Sequence, residues 1–168
     1  MEVPLYESLD GQVALVTGAT RGIGRRTADG LVDHGATVYA GARDTADISS
    51  TDRRAIELDV TVDDQRRAAI DRIDSEAGRL DILVNNAGVI DSREPLAEMP
   101  TEVIERTLST NLHGPVVLTK HALSLLLDRP GGRVVNVSSG LGAITNSQSG
   151  GMPAYRISKT GLNGLTRY

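Results

Sequence analysis

The sequence predicts an α/β fold built on a doubly wound parallel sheet. Short apolar runs that close on Gly, Asn or Ser alternate along the 168 residues with segments of helical character. The first run, "QVALVTG", leads directly into a glycine-rich turn and then a helical segment, which is how such sheets begin. No internal repeat or low-complexity tract in the sequence opposes this interpretation.

The first half of the chain contains three predicted strands and two predicted helices. The strands are "QVALVTG", "ATVYAGA" and "AIELDV". The first helix is expected from Ile23 to His34, with Gly35 just beyond its end. The second is expected to be capped by Thr61, to carry acids in the "TVDD" first turn, and to stop at Gly78.

The second half continues the alternation. "LDILVNNAG" is the fourth predicted strand and "RVVNVSS" the fifth. Between them, a helical region from Thr101 to about Asp128 is expected to bend around Gly114 and Pro115. A last helix opens at Pro153, a residue suited to a first helical turn.

Composition excludes several classes of function. A net charge of −4 and the absence of a basic run argue against a nucleic-acid surface. With no Cys and three scattered His, no metal site is expected. The start "MEVPLYESLDGQ" lacks the basic and apolar parts of a signal peptide, and no apolar run is long enough to span a membrane. The expected location is therefore the cytoplasm.

The turn "TGATRGIG" predicts a nucleotide site. Gly18, Gly22 and Gly24 allow a tight turn and a close approach of backbone to ligand. The N–H groups at the following helix start would bind a pyrophosphate. The spacing is G-x-x-x-G-x-G, which differs from the G-x-G-x-x-G of the common fingerprint. The alternative is a tight connection without a ligand.

The end of the second strand bears on the choice of dinucleotide. A free ribose 2′-OH is usually met there by an acid, whereas a 2′-phosphate requires a cation. Here Ala42 is followed by Arg43 and Asp44, and Arg21 lies within the glycine turn. The two arginines favour NADP(H), Asp44 leaves NAD(H) open, and solvated loop arginines remain the alternative to both.

The segment "PAYRISKTG" places a Tyr four residues before one of only two lysines in the chain. On a helix, Tyr155 and Lys159 are neighbours on one face. A nearby ammonium favours a phenolate, which makes a tyrosine usable for proton transfer near neutrality. Alone, this pattern is common enough to arise by chance.

Several motifs together resemble the short-chain dehydrogenase/reductase family. "TGATRGIG", "LDV", "NNAG", "TNLHG", "RVVNVSS" and "YRISK" occur in the order and approximate spacing of that family, from about Gly11 to the last residue. The resemblance implies a Rossmann-type sheet and hydride exchange between NAD(P)(H) and a carbonyl or an alcohol. A small-molecule substrate and a homo-oligomer, dimer or tetramer, are implied with it.

The resemblance also implies roles for individual residues. Tyr155 would be the acid/base, and Lys159 would bind the nicotinamide ribose and stabilise the phenolate. Ser139, the second serine of its pair, would polarise the substrate oxygen, and Asn111 would support a proton-relaying water. Turn chemistry and capping are the alternatives for Asn111 and the serines. The implied cofactor-binding residues are Gly18, Thr20, Arg21, Gly22, Ile23, Gly24, Arg43, Asp59, Val60, Asn86, Ala87, Gly88, Tyr155 and Lys159.

The chain departs from the family in two respects. Ser139 and Tyr155 are 16 positions apart, more than is usual, and "NSQSGGM" is the expected insertion, reshaping the substrate mouth. Family members are also longer, so residues 1–168 are expected to form one NAD(P)-binding domain without the final strands and the substrate-covering segment. The sheet edge at "RVVNV" would then lack its pairing strand, and we expect either that the end of the chain was lost by proteolysis or disorder, or that an oligomer covers this edge. The rival hypothesis is a nucleotide-binding module or an inactive fragment of such an enzyme.

Overall fold

The computed structural model describes residues 8–48, 52–146 and 151–168. Five strands form one parallel sheet: β1 (Val13–Thr17), β2 (Thr37–Ala42), β3 (Arg54–Glu57), β4 (Ile82–Asn85) and β5 (Arg133–Asn136). Their order is β3-β2-β1-β4-β5, so the chain moves outward from β1 to one edge and then crosses to the other. The predicted doubly wound α/β sheet is confirmed.

Five helices connect and flank the strands. They are α1 (Gly22–Asp33), α2 (Asp63–Ala77), α3 (Thr101–Leu108), α4 (Gly114–Leu127) and α5 (Pro153–Arg167). Every residue of β1 is buried, because the strand packs against side chains on both faces of the sheet. One face carries a core that includes Leu15, Leu83 and Leu118, and the other includes Val16 and Ala28.

Glycines close the helices where the sequence predicts. Gly35 follows the end of α1 with a φ of 93°, and Gly78 ends α2 with a φ of 62°. Both angles lie in the left-handed region, where a residue without Cβ is least strained. Pro153 opens α5 as expected.

The predicted cap of α2 is wrong. Val62 occupies the N-cap position, and no side chain caps it. Thr61 instead donates its backbone N–H and its hydroxyl to Asp59 Oδ1, at 2.8 and 2.7 Å. The Thr61 hydroxyl is therefore bonded to a local carboxylate and does not cap the helix, which begins at Asp63.

The helical region before β5 divides as expected, but its irregular point lies slightly earlier than Gly114. Residues Ser109–His113 form a π-helical segment between α3 and α4. Pro115 then falls within the first turn of α4, directly after the π-helical segment. A π turn shifts the helix face by one residue, and such turns are frequent at functional sites.

The predicted strands are too long at their C-terminal ends. β3 stops at Glu57, β4 at Asn85 and β5 at Asn136. Asp59, Asn86 and Ser139 therefore lie in turns beyond the carboxyl ends of the strands, where ligands of such folds bind. Residues 147–150, within the expected "NSQSGGM" insertion, fall outside the described residues, as do residues 1–7 and 49–51.

Candidate active site

The glycine turn packs tightly on the turn after β4. A methyl group at Gly18 would lie 3.0 Å from Ala87 Cα, and one at Gly24 would collide with the Asn86 amide. Gly18 and Gly22 have φ values of 64° and 58°. Any side chain at Gly18 or Gly24 would therefore separate the two turns.

Asn86 and Thr17 join these turns through hydrogen bonds. Asn86 Nδ2 donates to Thr17 O at 2.8 Å and to Gly18 O at 3.1 Å. Thr17 Oγ1 accepts from the backbone N–H groups of Asn86 and Ala87, both at 2.9 Å. Thr17 is not among the residues predicted from the sequence, although a hydroxyl residue at the end of β1, directly before Gly18, was a usable signal.

The N-terminus of α1 presents free backbone N–H groups beside this turn. Its N-cap residue is Arg21, which has an extended backbone, and no side chain caps the helix. Uncapped N–H groups at a helix start attract anions. Thr20 is partly buried, whereas Arg21 and Ile23 are exposed.

The end of β2 lies against the glycine turn. Ala19 donates its backbone N–H to Gly41 O at 3.1 Å, so Arg21 and Arg43 each follow this bond by two residues. Both arginines are exposed, and neither guanidinium group makes a hydrogen bond or an ion pair within the described residues. Asp44, by contrast, accepts from Ala46 N at 2.9 Å and caps a short 3₁₀ turn.

Asp59 and Val60 follow β3 at the same edge. Val60 is buried and packs against Gly114 at the start of α4. Asp59 Oδ1 is occupied by the two bonds from Thr61, and its backbone N–H donates to Gln65 Oε1 at 2.6 Å. The second carboxylate oxygen of Asp59 remains available to a ligand.

Tyr155 and Lys159 lie side by side on α5, as their spacing predicts. Lys159 Nζ is 5.7 Å from the centre of the Tyr155 ring. Tyr155 is half-buried, whereas Lys159 is buried. Burial lowers the pKa of the Lys159 ammonium from its ordinary value. Lys159 Nζ donates to Val137 O at 2.7 Å, just beyond β5.

Asn111 lies within the π-helical segment and is fully buried. Its Oδ1 accepts from Val89 N at 2.8 Å, and its Nδ2 donates to Val89 O and to Ser158 Oγ at 2.9 and 3.1 Å. Ser158 in turn donates to Tyr155 O at 2.7 Å. One N–H of the Asn111 amide therefore binds the turn after β4 and the other binds α5, which connects the two elements.

Gly88 lies between these groups. A methyl group there would be 3.3 Å from Asn111 Oδ1 and 3.7 Å from Lys159 Nζ. The structure thus brings together Gly88, Asn111, Tyr155 and Lys159 at the carboxyl ends of the strands, where the glycine turn also lies.

The two serines after β5 have different partners. Ser138 Oγ donates to Asn163 Oδ1 at 2.6 Å, so its hydroxyl is directed to α5. Ser139 Oγ accepts from Leu141 N at 3.2 Å and caps the 3₁₀ turn Gly140–Gly142. β5 ends at Asn136, so both serines lie in the turn beyond the strand. Their hydrogen-bond partners, rather than the alternation of side chains along a strand, distinguish the two hydroxyls.

No group of three or more potential metal-ligating side chains occurs in the described ranges. Within those ranges, none of the helices combines the length and apolar character that crossing a membrane requires.

A cavity lined by Ile90, Asp91, Ser92, Arg93 and Glu94 opens in the loop that follows the turn after β4.

Comparison with known proteins places this geometry in a family. Residues 12–168 match the family described as short chain dehydrogenase. The cis-4-hydroxycyclohexanecarboxylate dehydrogenase of Sinomonas cyclohexanicum is 37% identical over 96% of this chain and 67% of its own length. The 3-oxoacyl-(acyl-carrier-protein) reductase of Vibrio harveyi is 35% identical over 95% of this chain and 66% of its own length.

A solved structure of another dehydrogenase has a similar fold. The ligand-free aldohexose dehydrogenase of Thermoplasma acidophilum has a TM-score of 0.87 and 34% identity, covering 95% of this chain and 60% of that protein. The chain spans about two thirds of the length of the curated relatives that it matches. These matches show that the chain belongs to the short-chain dehydrogenase/reductase family of oxidoreductases.

Proposed function

We propose that this protein is an NADP(H)-dependent oxidoreductase that transfers hydride between the nicotinamide and a carbonyl or secondary alcohol, within a single NAD(P)-binding domain. The observation that carries the proposal is the Tyr155–Lys159 pair, with Nζ 5.7 Å from the ring centre, beside the glycine turn. The names of two relatives, a 3-oxoacyl reductase and a hydroxycyclohexanecarboxylate dehydrogenase, describe this chemistry in both directions.

The residues present fit a dinucleotide. Gly18 and Gly24 leave the backbone open, and the uncapped start of α1 offers N–H groups for a pyrophosphate. Asp59 and Val60 would flank the adenine, and Asn86, Ala87 and Gly88 would line the cofactor on the turn after β4. When bound, the cofactor supplies the hydride that reduces the carbonyl carbon, or accepts it in the reverse direction.

Tyr155 supplies the proton. As the carbonyl carbon gains the hydride, its oxygen takes the proton of the Tyr155 hydroxyl, and the products are an alcohol and a phenolate. The Lys159 ammonium stabilises that phenolate and would also hydrogen-bond the ribose hydroxyls. A proton from water then restores the phenol. In the oxidation direction the phenolate removes the alcohol proton.

Ser139 is the proposed substrate-polarising hydroxyl. Its oxygen accepts from Leu141 N, which leaves its own proton free to donate to a substrate oxygen. The proton of Ser138 is already donated to Asn163. Ser139→Ala should therefore lower kcat more than Ser138→Ala. Asn111 has both N–H groups engaged, so a relay water would be bound at its remaining Oδ1 lone pair or at nearby backbone.

NADP(H) is preferred in this proposal because the guanidinium groups of Arg21 and Arg43 lie beside the turn with no ion-pair partner among the described residues, whereas one oxygen of Asp44 already caps a 3₁₀ turn. Two guanidinium groups favour a 2′-phosphate. A cofactor titration tests this. Arg43→Asp should weaken NADPH binding by at least about tenfold, equivalent to about 1.4 kcal/mol, and change NADH binding little.

The matched control is Arg129→Asp, which makes the same charge change beyond the end of α4 and should leave the Kd for NADPH unaltered. Equal affinity of the unsubstituted protein for NADPH and NADH would contradict the cofactor preference. The second candidate function, a nucleotide-binding module without turnover, would bind cofactor but would not require the Tyr155 hydroxyl.

A further inference from the structure

The segment that carries Ser139 is attached to α5 on both sides of that residue. On one side, Ser138 Oγ donates to Asn163 Oδ1 at 2.6 Å. On the other, Gly142 O accepts from Asn163 Nδ2 at 3.2 Å. A single amide side chain therefore binds both flanks of Ser139 to the helix that carries Tyr155 and Lys159.

The orientation of the Asn163 amide follows from its partners. A backbone carbonyl oxygen only accepts, so Nδ2 must face Gly142 O. That leaves Oδ1 to accept the Ser138 proton. The other possible acceptor for Ser138, Lys159 O, is 3.4 Å away and is the weaker partner.

Other contacts hold only one of the two flanks. Thr160 Oγ1 also donates to Gly142 O, at 3.0 Å, and Gly142 packs directly on the Lys159 backbone. Neither Thr160 nor Gly142 contacts the Ser138 hydroxyl. Without Asn163, Thr160 would still hold Gly142 O and Lys159 Nζ would still hold Val137 O, but the Ser138 hydroxyl would lose its short hydrogen bond.

We infer that Asn163 is a positioning residue for the reaction. By fixing Ser138 and the Gly140–Gly142 turn to α5, it sets the place of the Ser139 hydroxyl relative to Tyr155. The inference rests on the proposed function, because it acts through the role of Ser139. It requires no contact between Asn163 and the substrate or cofactor.

A double-mutant cycle tests this. Asn163→Ala should lower kcat for carbonyl reduction by at least about tenfold, and leave the Kd for NADPH within about twofold. In a Ser139→Ala background, the same change should lower kcat by less than about twofold, because nothing remains to position. A merely structural role would give independent, additive losses, and additivity would overturn the inference.

The control variant is Thr160→Val, which removes one bond to Gly142 O and keeps both bonds of Asn163. It should retain most of kcat, and a loss equal to that of Asn163→Ala would count against a specific role for Asn163. Wild-type activity of Ser139→Ala, with Tyr155→Phe inactive, would remove the proposed role of Ser139 and this inference with it. A large effect of Ser139→Ala with none of Asn163→Ala would overturn this inference alone.

Amide hydrogen exchange gives a readout without turnover. The N–H groups of Leu141 and Gly142 donate to Ser139 Oγ and Ser139 O, at 3.2 and 2.9 Å. In Asn163→Ala both amides should exchange at least about tenfold faster, while those of β1 stay unchanged. Asn163→Asp, which keeps the acceptor for Ser138 but sets an oxygen against Gly142 O, should show the same local change. Unaltered exchange in both variants would overturn the inference.

Discussion

At the scale of single residues, the site combines groups whose positions the sequence predicted with groups that it did not. The i, i+4 spacing of Tyr155 and Lys159 predicted their contact correctly, because helical geometry alone determines it. The bond from Lys159 Nζ to Val137 O was not predictable, since it joins α5 to a turn whose position depends on the whole sheet. Asn163 was missed because a polar residue on a helix is typical of a solvated face.

Lys159 is also expected to reduce the stability of the cofactor-free protein. Lys159→Met should abolish turnover and raise the free energy of unfolding at neutral pH by about 1 kcal/mol. Burial lowers the pKa of Lys159, so the unfolded chain holds this proton more tightly than the folded protein does. The destabilisation caused by burying the charged lysine is complete below the pKa of Lys159 in the folded protein. It disappears as the pH rises to the ordinary lysine pKa of 10.5.

Urea unfolding at several pH values checks this prediction. The stability difference between Lys159→Met and the unsubstituted protein should narrow toward alkaline pH. Lys120→Met is the matched control, because Lys120 is the other lysine of the chain and is exposed. A Lys159→Met protein that is less stable at neutral pH would show that the bond to Val137 outweighs the burial of the charge.

At the scale of elements, the sequence predicted which segments form strands and helices but placed several boundaries wrongly. The predicted strands run past the true strand ends, as in "VSS" after β5, where the turn residues are themselves partly buried. The π turn Ser109–His113 interrupts the helical period for only five residues, which is too short for a periodicity count to locate. Glycine positions were reliable because left-handed backbone is required at Gly35 and Gly78.

The contact between the Gly140–Gly142 turn and α5 gives a prediction at this scale. A methyl group at Gly142 would lie 2.7 Å from Lys159 C, which is backbone and cannot move aside. Gly142→Ala should lower the free energy of unfolding by about 1–3 kcal/mol and reduce kcat as the turn is pushed off the helix. At Gly140 an added methyl group would meet no atom of the described, non-neighbouring residues within 4 Å, so Gly140→Ala should change stability by less than about 0.5 kcal/mol.

Thermal or urea unfolding and steady-state kinetics of the two alanine variants measure these effects. Equal behaviour of the two would mean that the turn does not depend on its packing against α5.

At the scale of the whole molecule, an apolar face on α4 predicts self-association. Val116, Leu123 and Leu127 recur at helical spacing and are 39, 38 and 76% exposed. Ile157 on the adjacent α5 is 52% exposed. Such a face usually marks an interface, and we expect a homodimer or homotetramer that buries it.

Light scattering tests the expected oligomer. Leu123→Glu should reduce the measured mass toward that of the monomer, because a charge would be buried at the contact. Leu96→Glu is the matched control, since Leu96 is also exposed but lies in the loop before α3. A monomer under all conditions, or dissociation by both variants alike, would contradict an interface on α4.

The most direct test of the proposed chemistry compares the unsubstituted protein with Tyr155→Phe. The variant keeps the ring beside Lys159 and loses only the proton that the mechanism transfers. We predict that both proteins bind NADPH with Kd values within about twofold, while kcat with a panel of ketones falls by at least about a thousandfold in Tyr155→Phe. The panel should include linear 3-oxo esters and a 4-oxocyclohexane carboxylate. NADPH binding without oxidation by any member of that panel, or comparable turnover by Tyr155→Phe, would contradict the account.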